Sequence, residues 1–92
     1  MIRRFRHKGL ATFFSTGSLS GIQPTQASRL RLILASLNAA TEPGDLALPG
    51  LKLHQLKGNQ AGRWSVRVSG NWRLTFSFTG KDADEVDYED YH

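Results

Sequence analysis

Residues 63–78 alternate between polar and apolar side chains, broken once in the middle by a turn signal. Trp64, Val66 and Val68 point one way, and Arg63, Ser65 and Arg67 the other. Ser69-Gly70 gives a tight reversal, after which Trp72, Leu74, Phe76 and Phe78 alternate with Asn71, Arg73, Thr75 and Ser77. A period of two over this length predicts a β-hairpin with one apolar and one polar face. An apolar face this large has to be covered, so the rest of the chain must pack on that side.

The cover is legible upstream. From Lys8 to Ser15, Leu10, Phe13 and Phe14 fall at helical spacing, with Gly17 as a stop signal. Pro24 suits the first turn of a second helix, along which Leu30, Ile33, Leu34 and Leu37 form one stripe. That helix should finish near Ala40, because Pro43-Gly44 cannot continue it. Met1–Phe5 reads as a short strand, with Ile2 and Phe5 directed to the core. Leu51 and Leu53 alternate with Lys52 and His54 until Lys57-Gly58-Asn59, a turn composition. After the hairpin, Thr79-Gly80-Lys81-Asp82 is a turn, and Val86 with Tyr88 predicts a last strand. At 92 residues there is room for one modest core. The expected architecture is a single α+β domain over residues 1–92, with an N-terminal strand and two helices packed on one face of an antiparallel sheet.

The face opposite the helices would then collect Arg63, Arg67 and Arg73, with Lys52 and His54 on the neighbouring strand. No carboxylate occurs between Leu46 and Lys81, whereas a solvated surface normally mixes both signs. All twelve lysines and arginines lie in residues 1–81, and six of the eight acidic residues lie in 82–92. A body this basic favours a polyanionic partner. The chain has no cysteine, so neither disulfides nor thiolate-bound zinc can supplement the core. No apolar run approaches the roughly 20 residues that span a bilayer, and the basic N-terminus lacks the apolar stretch of a signal peptide. A cytoplasmic protein with no membrane partner is expected. Three scattered histidines without ligand spacing predict neither a metal site nor a cofactor.

Several segments together resemble a known family. They are Lys52-Leu53-His54-Gln55-Leu56-Lys57-Gly58-Asn59, Gly62-Arg63-Trp64-Ser65-Val66-Arg67-Val68, Asn71-Trp72-Arg73-Leu74-Thr75-Phe76 and the ending Asp87-Tyr88-Glu89-Asp90-Tyr91-His92. With the opening Met1-Ile2-Arg3-Arg4-Phe5, they are similar to the HigB toxins of the RelE/ParE superfamily. The resemblance implies a ribosome-dependent mRNA endonuclease, neutralised by a HigA-type helix-turn-helix antitoxin. It also implies cleavage without a metal, by attack of the substrate's own 2′-hydroxyl on the adjacent phosphate. The family's functional residues match at His54, Asp90, Tyr91 and His92, with Arg73 in the position of a phosphate-binding arginine. Lys52, Lys57, Arg63 and Arg67 would contact phosphates of mRNA or of the 16S rRNA in the 70S ribosome.

Such chemistry needs a base for the 2′-hydroxyl, positive charge at the phosphorane and an acid for the 5′-oxygen. Imidazole suits the first and third tasks because its ordinary pKa, about 6.5, lies near working pH. His54 and His92 fill them; His92 is the preferred base, although the residues leave the assignment open. Arg73 supplies a fixed fork of donors, Asp90 orients an imidazole or the 2′-hydroxyl, and Tyr91 offers a ring face and a hydroxyl. Plainer roles compete: His54 as an exposed strand residue, Arg73 paired with Asp87 or Glu89, Tyr91 closing the core. His7 has no partner in the motif and reads as structural or solvated. A gyrase-inhibiting ParE-like toxin and a non-catalytic basic RNA-binding module are the alternative functions.

Overall fold

In the computed structural model, residues 1–91 are described, and they build two helices against a four-stranded antiparallel sheet. Helix α1 spans Lys8–Thr16 and α2 spans Ala27–Ala39. The strands are β1 (His54–Gln55), β2 (Trp64–Ser69), β3 (Trp72–Thr79) and β4 (Asp82–Asp90), lying side by side in chain order.

Local chemistry sets the boundaries. His7 caps α1, its Nδ1 accepting the Leu10 amide at 2.9 Å, and so satisfies one of the orphan N–H groups of the first turn. Gly17 ends the helix at φ +80°, a left-handed conformation that costs glycine nothing, and its N–H reaches the Phe13 carbonyl at 2.8 Å. Short 3₁₀ turns at Pro24–Gln26 and Pro43–Leu46 bracket α2. The β2–β3 reversal uses Gly70 at φ +55°, a sign that two-residue hairpin turns require.

The core lies between the helices and one sheet face. Leu10, Phe13, Leu30, Ile33, Leu34 and Leu37 pack with Val66, Val68, Leu74, Phe76, Val86 and Tyr88. Burying each aliphatic side chain of this kind is worth about 1.5–3 kcal/mol. Tyr88 ties the layers together: its ring stacks on Trp72 at 4.5 Å, meets His7 edge-on at 5.5 Å, and its hydroxyl donates to Gln26 Oε1.

Three expectations need correction. Met1–Phe5 does not form a regular strand; it runs parallel to β4 through two isolated bridges, Ile2 with Ala83 and Phe5 with Val86. Between those bridges β4 carries an extra residue, with Glu85 at φ +50°, which interrupts any continuous ladder. The run from Leu51 shortens to His54–Gln55, because Lys52 at φ +50° breaks the extended backbone. Phe14 is 40% exposed, covering Phe5 from outside at 5.6 Å instead of entering the core.

Candidate functional site

Cross-strand register assigns side chains to the open face. His54, Ser65, Thr75 and Asp87 form one row across all four strands, and Arg67, Arg73 and Glu89 form the next. Tyr91 follows β4 on the same alternation, anchored by its N–H to the Asn71 carbonyl at 2.8 Å. The face is therefore not uniformly basic, as the sequence from Leu46 to Lys81 suggested. Strand β4 inserts Asp87 and Glu89 among the arginines.

Arg73 is half-buried, and its Nη1 donates to the carbonyls of Gly70 (2.9 Å) and Trp72 (3.2 Å). Among the described residues it forms no ion pair, so the expected alternative of pairing with Asp87 or Glu89 is not realised. Tyr91 is also half-buried and lies within the field of these charges. Burial, and then the Glu89 carboxylate, push its phenol above the ordinary value, while Arg63 and Arg73 oppose that shift.

Arg63 is the main departure among the cationic residues. Expected on an exposed face, it is only 7% exposed, and its Nη2 donates to Thr75 Oγ1 at 2.9 Å. Its Nε and Nη1, and the Ser65 hydroxyl beside it, are buried with no hydrogen-bond partner. Burial, followed by the charge of Arg6, lowers its pKa, against the pull of Glu89, Asp87 and Glu85. Alternation identified the face on which Arg63 lies but carried no information about what covers it. In this conformation Arg63 is not available as a surface phosphate contact.

The other residues border the face. His54 is exposed, its Nδ1 lying 3.3 Å from the Lys52 carbonyl. Three inter-strand steps of about 4.8 Å separate β1 from β4, roughly 14 Å, so His54 and Tyr91 stand on opposite margins. Lys52 and Lys57 are exposed and Arg67 is half-buried. Asp90 lies opposite Trp72, so the alternation turns it towards the helix side at the end of β4. His92 lies outside the described residues. Among the described residues, no three His, Cys, Asp or Glu side chains gather closely enough to hold a metal. Two apolar clefts, about 280 and 180 Å³, flank α2 and are lined by none of these residues.

Sequence reasoning did not single out Thr75, and it weighed Asp87 and Glu89 only as ion-pair partners for Arg73. Counting back in twos from Tyr91 places both carboxylates on its side of the sheet.

Comparison with known proteins decides the family: residues 3–92 match the RelE-like toxin of type II toxin–antitoxin system HigB. The chain belongs to the HigB-like toxins. Membership implies an antitoxin partner. The chain is 45% identical over 92 residues to the Endoribonuclease HigB of Proteus vulgaris, covering 100% of both proteins. Its fold is similar to that of the crystal structure of a YafQ mutant from E. coli, with a TM-score of 0.58 at 18% identity, covering 96% of this chain and 92% of that one. The α+β architecture expected for a HigB-like toxin is the one observed. No described helix is long and apolar enough to cross a membrane.

Proposed function

We propose that this HigB-like toxin is an endoribonuclease that cuts translated mRNA on the ribosome and is neutralised by a HigA-type antitoxin. The reading draws on the name of the Proteus vulgaris relative and on the resemblance of the motifs. The observation that carries it is that Tyr91 shares a sheet face with Arg73, an arginine that has no carboxylate partner among the described residues. Arg73 lies opposite Glu89 near the end of β4, and Tyr91 follows on the same face, with Asp90 between Glu89 and Tyr91 in sequence and turned the other way.

The reaction is internal transesterification. The 2′-oxygen attacks the adjacent phosphorus as a base takes its proton, and the P–O5′ bond breaks as an acid protonates the 5′-oxygen. The products are a 2′,3′-cyclic phosphate and a 5′-hydroxyl, with no water consumed and no metal required. Arg73 stabilises the phosphorane's charge through a planar fork of donors, fixed on one side by its two carbonyl contacts. Tyr91, neutral at working pH, offers its ring to a base and its hydroxyl to an oxygen. His54, exposed at the β1 margin, and His92 are assigned the proton transfers, and Asp90 orients one of the transferring groups. Lys52, Lys57 and Arg67 are assigned phosphate contacts with mRNA and 16S rRNA.

The test is single-turnover cleavage of ribosome-bound mRNA by EDTA-treated protein, on ribosomes that keep their magnesium. A 2′,3′-cyclic phosphate at an undiminished rate supports the reading. A 3′-hydroxyl with a 5′-phosphate contradicts it, since that product pair requires attack by water.

A further inference from the structure

Strand β4 places Glu89 directly opposite Arg73. Facing side chains on an antiparallel pair have Cβ atoms about 5 Å apart, well within reach of an ion pair. Yet the carboxylate turns to Thr75 instead: Glu89 Oε2 accepts from Thr75 Oγ1 at 2.6 Å, and Thr75 Oγ1 accepts from Arg63 Nη2 at 2.9 Å. Thr75 is fully buried and Arg63 nearly so.

The direction of this chain is forced. A guanidinium can only donate, so it occupies a lone pair of the Thr75 hydroxyl, and the hydroxyl's single proton is left for Glu89. We propose that Arg63 and Thr75 are positioning residues that hold Glu89 away from Arg73, keeping the Arg73 guanidinium open to the scissile phosphate. This rests on the endoribonuclease reading above and adds to it the cause of Arg73's availability. A purely structural role accounts poorly for Arg63, because burying a guanidinium with two unpartnered N–H-bearing nitrogens destabilises the fold where an apolar side chain would not. The arrangement sits beside the candidate site, where such local cost is characteristically found.

The experiment uses the full chain. Thr75→Val removes the hydroxyl at nearly constant shape; Thr75→Ser keeps it. Single-turnover cleavage should fall at least about tenfold in Thr75→Val and remain near wild type in Thr75→Ser. Adding Glu89→Gln to Thr75→Val should restore most of the loss, since the amide cannot form the inhibiting ion pair. Rescue is the outcome that a packing defect would not produce. A Thr75→Val protein as active as wild type, or a loss that Glu89→Gln does not repair, overturns the proposal. A readout independent of activity is the Arg73 Nε–H resonance in ¹⁵N-labelled protein. It should be insensitive to Glu89→Gln in the wild-type background and should shift in Thr75→Val. A marked shift caused by Glu89→Gln alone would show that the two residues already pair, and it decides the matter even if Thr75→Val does not fold. Failure of the parent reading looks different: the wild-type protein leaves ribosome-bound mRNA intact.

Discussion

Arg4 grips Asp84 with two parallel hydrogen bonds, Nε to Oδ1 and Nη2 to Oδ2, each 3.0 Å long. Asp84 is buried and also accepts from Thr79 Oγ1 and the Glu85 amide, both at 2.9 Å. The Arg4 hydrogen bond, against the cost of burial, holds the carboxyl well below the usual carboxylate range. A carboxyl depressed in this way binds fewer protons folded than unfolded. Its stabilisation is complete above about pH 5 and is lost as pH falls towards the folded pKa. Asp84→Asn should lower the Tm by several degrees at pH 7 and leave it nearly unchanged in strong acid, as a pH series of thermal melts will show.

Arg73→Ala should lower single-turnover cleavage by about 10²–10³-fold, the usual effect of removing a donor that stabilises developing negative charge. Because the hydrogen bonds of the Arg73 side chain go to the carbonyls of Gly70 and Trp72 and it forms no ion pair among the described residues, the melt should barely move. Arg73→Lys should recover part of the rate, since charge remains but the fork does not.

Tyr91 has a phenol pKa raised by burial and by Glu89, so it stays protonated through neutral pH. An ultraviolet titration should place the midpoint of tyrosinate formation above the ordinary value of about 10. Tyr91→Phe keeps the ring and removes one hydroxyl, a change of about tenfold or less in cleavage rate. A larger loss would assign the hydroxyl a proton-transfer role.

Deleting His92 or replacing His54 with Ala should each reduce cleavage by ~10²–10⁴-fold, as expected for acid–base groups. His54 is exposed and has no buried partner, so folding should be retained. A folded His92 deletion with near-full activity would transfer the whole acid–base task to His54.

Salt dependence separates the arginines. Ribosome association should weaken steeply with salt, and Arg67→Ala should lower the log–log slope by about one unit if Arg67 touches phosphate. Arg63→Ala should leave the slope unchanged, because its guanidinium is buried against Thr75 and not at the surface. Equal slope changes for both would mean that Arg63 emerges on binding.

The helices and the β2–β3 hairpin were legible because each is a periodicity: the Leu30–Leu37 stripe at 3.6 residues, the Trp64–Phe78 alternation at two. Pairing of Ile2 with Ala83 was not, since no local signal marks a partner so distant in sequence. The site was half legible. Register brings Arg67, Arg73 and Tyr91 to one face, as alternation predicts, but the extra residue near Glu85 puts Asp84 and Asp87 on that face three positions apart. Simple counting along the strand fails at such a bulge. The burial of Arg63 was hidden for another reason: solvent exclusion is a tertiary property, and an arginine at a strand's polar position is normally wet.

The bridges from Ile2 to Ala83 and from Phe5 to Val86 also govern the order of events during synthesis. Residues 1–5 are among the last to find their place, for their docking edge does not exist until β4 has been made. Joining ends so far apart carries a large loop-closure entropy and slows the final step. The hairpin, with its near-neighbour contacts, can form early, but β4, which carries Glu89 and leads into Tyr91, cannot. A nascent copy therefore lacks the assembled open face, with Arg67, Arg73 and Tyr91 together, until β4 has been made and docked.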